Sequence, residues 1–285
     1  MLKFGVLGPL EIISENEEVA LTPPRQKTVL SLLLLEANQL MPISRLVEAV
    51  WGDRPPATAR TQIHFCISTL RKTFDVIGSP YLIETLAPGY RVRIGDDQLD
   101  LHRFDSLARR AQAVGANGRP WEASELLGKA LAMWRGQALA DVDSSLVQAI
   151  SSRLSERRIL MTEERVAYDL ELNRHAHLAD ELVSLTAEFP LRERLQAQLM
   201  AALYGSGRRS AALETYRRIR MQFVAELGIE PGKELQDIHQ EILKNEYVPT
   251  ISARCSGLRR PVGPRNGFPN RGFRSRSCLP KPPDQ

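Results

Sequence analysis

Cysteine is scarce in this chain: three in 285 residues, Cys66, Cys255 and Cys278, at separations of 189 and 23. An odd count so spaced fits neither a disulfide framework nor the paired short intervals of a zinc site, and it agrees with a reducing compartment. Long apolar runs are missing too. The most apolar stretch, Val29 to Leu35, falls far short of the roughly 20 residues that span a bilayer. Lys3 and Glu11 interrupt the N-terminus where a signal peptide needs continuous apolar sequence, so a cytoplasmic protein without membrane contact is expected. Glycine and proline, 18 each, are near average usage, which excludes a collagen-like or wholly low-complexity chain.

Catalytic signatures are absent as well. The sequence contains no GxxxxGK[ST] phosphate loop, no GxGxxG after a strand, no GxSxG and no HExxH. Of five histidines only His175 and His177 are close, and two positions apart on a helix they point to different sides. They read as solvated or loop histidines after Asn173. Cys66 falls on an apolar helical stripe and reads as a packed core thiol. No catalytic residue, metal site or cofactor is expected, and the chain is not expected to be an enzyme.

Length and the 43% hydrophobic content suit about two soluble domains. The net charge of +4 suggests nucleic acid until it is partitioned. From Val248 onward eight basic residues face one Asp, leaving residues 1–247 with 30 basic and 33 acidic residues, a net of −3. Binding to a polyanion must therefore rest on a local surface within a Debye length of roughly 8 Å.

Short apolar alternations at Phe4 and Val6, Leu10 and Ile12, and Val19 and Leu21 predict three strands of a small antiparallel sheet, ended by Pro23 and Pro24. From Arg25 to Asn38 apolar residues occupy nearly every side of a helix, which predicts the most buried helix of its domain. Ile43, Leu46, Val47, Val50 and Trp51 fall at i, i+3, i+4, i+7 and i+8, a one-sided helix ended by Gly52. Pro55 and Pro56 are expected to open a third helix running through Phe74. Tyr81 to Leu86 and Tyr90 to Ile94 form a hairpin around Ala87-Pro88-Gly89.

After Asp97 the strand signal ends. Helices are expected over Phe104–Val114, Trp121–Trp134, Leu146–Asn173, Leu178–Glu188, Leu191–Tyr204, Ala211–Leu227 and Leu235–Leu243. Met200, Leu203, Gly207, Ala212 and Tyr216 have tetratricopeptide offsets, and Gly118, Ala123, Leu127 and Ala130 repeat the second half of that pattern. The last 38 positions hold seven Pro, four Gly and eight basic residues, the composition of a disordered tail. The expected layout is residues 1–97 as a mixed α and β domain, 98–247 as an all-helical tetratricopeptide-like domain, and 248–285 as the tail.

The third helix carries the chemistry. Its inner stripe is Ile63, Cys66, Ile67, Leu70 and Phe74; its opposite face is Thr58, Thr61, Gln62, Phe65, Ser68, Thr69 and Lys72, flanked by Arg60, His64 and Arg71, with no acid. Such a face suits a major groove: Gln62 can pair with adenine, Phe65 can touch a thymine methyl, and Arg60, Arg71 and Lys72 can hold phosphates.

The order of short sheet, three helices and hairpin resembles the OmpR-type winged helix-turn-helix. Pro24-Arg25-Gln26-Lys27, Leu46-Val47-Glu48-Ala49-Val50-Trp51-Gly52, Ile67-Ser68-Thr69-Leu70-Arg71-Lys72 and Pro88-Gly89-Tyr90-Arg91-Val92 resemble the version in the Streptomyces antibiotic regulatory protein family. Leu101-His102-Arg103-Phe104, Ala130-Leu131-Ala132-Met133-Trp134-Arg135-Gly136, Leu191-Arg192-Glu193-Arg194-Leu195, Gly207-Arg208-Arg209-Ser210-Ala211-Ala212-Leu213 and Glu226-Leu227-Gly228-Ile229-Glu230-Pro231-Gly232 are similar to that family's bacterial transcriptional activation domain. The resemblance runs in order from about residue 2 to 244. It implies an activator of a secondary-metabolite gene cluster that binds direct repeats in double-stranded DNA as a homodimer or larger assembly and contacts RNA polymerase holoenzyme. It places Thr61, Gln62, His64, Phe65, Ser68 and Thr69 toward base edges, Arg60, Arg71 and Lys72 toward phosphates, and Arg91 on the DNA side of the wing. Thr69 stands where the family usually has a basic residue, and the wing tip Leu86-Ala87-Pro88-Gly89 has no arginine, so modest affinity per protomer is expected, offset by binding to adjacent repeats. The slightly acidic helical part supports an alternative: an interaction scaffold or ligand-sensing regulator without direct DNA readout.

Overall fold

The structure, a computed structural model, describes residues 2–245. It opens with a three-stranded antiparallel sheet of β1 (Lys3–Gly5), β2 (Glu11–Ser14) and β3 (Glu17–Glu18), with Lys3 opposite Ile13 and Ile13 opposite Glu18. Glu15 and Asn16 both take positive φ, 54° and 72°, as a two-residue hairpin turn requires. Three helices follow: α1 (Pro24–Leu35), α2 (Ile43–Trp51) and α3 (Ala59–Val76). Pro24 sits in the first turn of α1, where its missing N–H costs nothing. A second sheet, in the order β4-β6-β5, joins β4 (Met41–Pro42), β5 (Ile83–Leu86) and β6 (Gly89–Val92), with Ile83 opposite Val92 and Leu86 opposite Gly89.

A single 3₁₀ turn, Asp96–Gln98, leads into the helical part. Its elements are α4 (Asp100–Ala116), α5 (Pro120–Leu131), α6 (Ser145–Glu171), α7 (His175–Glu188), α8 (Glu193–Gly205), α9 (Arg209–Leu227) and α10 (Lys233–Lys244). Gly118 and Gly207 occupy the turns before α5 and α9 with φ of 72° and 79°, a left-handed conformation that glycine adopts without a Cβ penalty. The following Ala123 and Ala212, equivalent in the repeat pattern, are both fully buried. The tetratricopeptide-like spacing thus corresponds to two helix–turn–helix units.

Two hydrophobic cores hold the described residues together. The first runs from Leu2 through α1, α2, α3 and the second sheet, continues through α4 and α5, and ends on α6 at Tyr168. The second spans Val166 to Ile242. Within the first, Phe4 meets Phe74 edge-on at 6.1 Å between ring centres. No gap in the core falls near residue 97, and polar ties add to the continuity. The Asp100 carboxylate accepts from the Val6 and Leu7 amides at 2.9–3.0 Å, and Leu139 N donates to Gly8 O at 2.6 Å. Asp141 accepts from Leu10 N at 2.8 Å and from Lys27 Nζ at 2.5 Å, and Ser144 donates to Ala49 O at 2.6 Å. The 27 residues of α6, about 40 Å of helix, enter both cores.

Several expectations need correction. Pro55 and Pro56 do not open α3, which starts at Ala59; both prolines lie in the preceding loop. The third strand is Glu17–Glu18, with Val19 keeping one further bond to Ile12 O at 2.8 Å. β4 was not anticipated. His175 and His177 belong to the first turn of α7, and His175 is buried against Gly205. The basic stretch 248–285 lies outside the described residues.

Candidate nucleic-acid interface

The α2–turn–α3 unit is set by packing. The inner stripe Ile63, Cys66, Ile67, Leu70 and Phe74 is buried, which turns the opposite face of α3 outward. Burial also pushes the Cys66 thiol up, with Arg25 opposing weakly, so Cys66 is held as a neutral core group. On the outer face Thr61, Phe65, Ser68 and Lys72 are exposed, Phe65 by 70%. Arg60 and His64 are exposed on the flank, while Gln62, Thr69 and Arg71 are half-buried. The sequence places no acid between Asp53 and Asp75, and neither Arg60 nor Lys72 pairs with a carboxylate among the described residues. Two cations are therefore available on an acid-free helical face.

The other proposed contacts are engaged within the protein. Gln62 Oε1 accepts from Arg25 Nη1 at 2.6 Å and Gln62 Nε2 donates to Thr58 Oγ1 at 2.9 Å, while the Arg25 guanidinium lies 5.4 Å from the Trp51 ring centre. Thr69 Oγ1 donates back to Phe65 O at 3.0 Å. Arg71 reaches the wing: its Nε donates to Ile83 O at 3.0 Å, its Nη2 to Thr85 Oγ1 at 2.8 Å, and its guanidinium sits 5.8 Å from the Tyr90 ring centre. His64 Nδ1 stands 2.5 Å from the Tyr90 hydroxyl. Arg91 holds Glu84 through Nε and Nη2 at 2.9 and 2.5 Å, and Arg93 joins at 3.3 Å. These hydrogen bonds hold the Glu84 carboxyl below its ordinary range.

Arg25, Glu84, Thr85 and Tyr90 shape this surface and were not among the sequence-derived site residues. Arg25 and Tyr90 carried a local signal, as members of the family-like stretches Pro24-Arg25-Gln26-Lys27 and Pro88-Gly89-Tyr90-Arg91-Val92. Between the start of α1 and α3 lies a hollow of about 610 Å³, lined by Pro23, Pro24, Thr58, Thr61 and Phe65. Among the described residues no helix is long and apolar enough to cross a membrane, and no group of three His, Cys, Asp or Glu could hold a metal ion.

A helix-turn-helix with a hairpin wing, sharing its core with a helical array, defines a winged helix-turn-helix regulator with an accessory helical domain. Comparisons with known proteins agree. Residues 16–92 match the C-terminal domain of transcriptional regulatory proteins, and residues 99–243 match the bacterial transcriptional activator domain. The chain is 36% identical to the regulatory protein DnrI of Streptomyces peucetius, over 85% of this chain and 92% of that protein. It is 38% identical to the regulatory protein AfsR of Streptomyces coelicolor over 85% of this chain, yet spans only 24% of AfsR. The solved structure of Mycobacterium tuberculosis EmbR in complex with a low-affinity phosphopeptide superposes with a TM-score of 0.85 at 35% identity, covering 89% of this chain and 68% of that one. The chain belongs to the Streptomyces antibiotic regulatory protein family of transcriptional regulators.

Proposed function

We propose that the chain is a sequence-specific DNA-binding transcriptional activator of a secondary-metabolite gene cluster. In this reading it works in the cytoplasm without catalysis, binds direct repeats near promoters as a homodimer or larger assembly, and recruits RNA polymerase holoenzyme through its helical part. The observation that carries the reading is the outer face of α3, free of acids, with Arg60 and Lys72 in no ion pair among the described residues beside exposed Thr61, Phe65 and Ser68. Thr61 and Ser68 supply hydroxyls that donate to or accept from base edges, and Phe65 supplies apolar contact for a thymine methyl. Arg60 and Lys72 set register on phosphates, with Arg71 and Arg91 joining once they exchange their wing partners for DNA.

The test is selection from a pool of promoter-derived duplexes, followed by a salt series on the sequence recovered. Each phosphate contact contributes about −0.9 to the slope of log affinity against log salt on duplex DNA. A direct-repeat motif with a steep slope is expected, and Lys72→Ala should flatten the slope by about 1 while weakening all sequences alike. A flat salt response with no motif enriched would overturn the proposal.

A further inference from the structure

On the wing-side flank of α3 the exposed ring of His64 rests against a buried tyrosine of β6. Tyr90 is only 4% exposed, and its hydroxyl has no hydrogen-bond partner other than His64 Nδ1 among the described residues, at 2.5 Å. A buried hydroxyl hydrogen without an acceptor carries a desolvation cost. If Nδ1 held the proton, the phenolic hydrogen would have no acceptor among the described residues. Burial also pushes the Tyr90 phenol up, so it remains a donor at working pH. The geometry therefore favours Tyr90 O–H as donor to His64 Nδ1, which in an uncharged ring leaves the proton on Nε2 of this exposed side chain.

We propose that Tyr90 is a positioning residue that fixes His64 as an outward Nε2–H donor, and that His64 reads guanine in the major groove. This rests on the DNA-binding reading of α3 and gives it a chemical content. Guanine offers N7 and O6 as adjacent acceptors, whereas adenine sets its N6 amino donor beside N7, leaving one acceptor on that edge. Cytosine presents an amino donor and thymine a single carbonyl with a methyl. A lone N–H donor finds two acceptors on guanine against one on adenine or thymine, which favours guanine. Gln62, the side chain suited to adenine, is occupied on both its amide atoms by Arg25 and Thr58.

The test has a part without DNA and a part with it, both on the full chain. In the free protein, nitrogen-15 spectra of the histidine rings, assigned with His64→Ala and taken on the uncharged ring, should show Nδ1 of His64 unprotonated and Nε2 protonated. In Tyr90→Phe, which keeps the buried ring, the two forms should mix. On the selected operator, replacing each guanine in turn by 7-deazaguanine should weaken wild-type binding about fivefold at one position per half-site, the loss of one hydrogen bond of about 1 kcal/mol. His64→Ala should be indifferent to that replacement, and Tyr90→Phe should show a reduced penalty with the same salt slope. A protonated Nδ1 in the wild type, or indifference of the wild type to 7-deazaguanine at every position despite steep salt-dependent binding, overturns this assignment alone. A chain that binds no duplex overturns the DNA reading and this assignment with it.

Discussion

Replacing Ser144 by alanine should cost the protein far more than an average serine. Ser144 stands at the start of α6 in extended conformation, 6% exposed, with its hydroxyl donating to Ala49 O at 2.6 Å and accepting from Val147 N at 3.4 Å. The Ala49 carbonyl needs this donor because α2 has already ended: Gly52, at φ 61°, takes the chain off the helical path before a fourth following amide can arrive. Two losses add in the alanine variant. The weak cap is worth about 0.5 kcal/mol, the low end for helix N-caps. A buried carbonyl left without a partner costs about 1–3 kcal/mol. Together they predict a loss of about 1.5–3.5 kcal/mol, and for a body of this size about 2–4 °C of Tm per kcal/mol, so a fall of about 3–14 °C. Differential scanning calorimetry reads it directly. Ser152→Ala is the internal control, since its exposed hydroxyl only donates back to Gln148 O at 3.0 Å and its loss should stay within about 0.5 kcal/mol. A Ser144→Ala melting point within about 2 °C of wild type would refute the reasoning that Ser144 closes the junction between α2 and α6.

Glu84→Gln should release Arg91 and Arg93 and steepen the salt dependence of DNA binding by up to about two phosphates' worth; an unchanged slope would show that neither guanidinium reaches the backbone. Burial raises the pKa of Asp141, but the Lys27 ammonium and the Leu10 amide outweigh it and hold the carboxyl below its ordinary 3.8. With the folded pKa below the unfolded one, its contribution is complete above about pH 5 and is lost as pH falls through the folded value. Asp141→Asn should therefore lose less stability than wild type between about pH 5 and pH 3, read from urea midpoints. In Gly89→Ala the new Cβ would collide with the Met41 carbonyl where β6 meets β4, and a destabilisation of about 1–3 kcal/mol is expected in the same urea assay.

Much of the fold is legible in the sequence because it follows from period. The apolar spacing from Ile43 to Trp51 delimits α2 to the residue, and the stripe Ile63, Cys66, Ile67, Leu70, Phe74 is the buried side of α3. What escaped has no period to show. The two residues of β4 are too short to alternate, and Pro55-Pro56 satisfies a helix-start rule in a segment that remains loop. At the site, spacing tells which side chains point outward but not which partner each one finds. Gln62 is held by a residue 37 positions away, Arg71 by one 14 away, and Arg91 by one 7 away across the hairpin. These contacts arise only once α1, α3 and the wing have packed together.

The first hydrophobic core passes from the wing through α4 and α5 onto α6, so the reader and the array cannot swivel independently without opening that core to water. On a direct repeat each bound copy would carry its array at one fixed azimuth around the duplex. The distance between repeats then acts as a phase: at about 10.5 base pairs per turn, five extra pairs would point neighbouring arrays to opposite sides of the DNA. A rigid regulator of this kind would specify the angular position of such repeats as well as their letters.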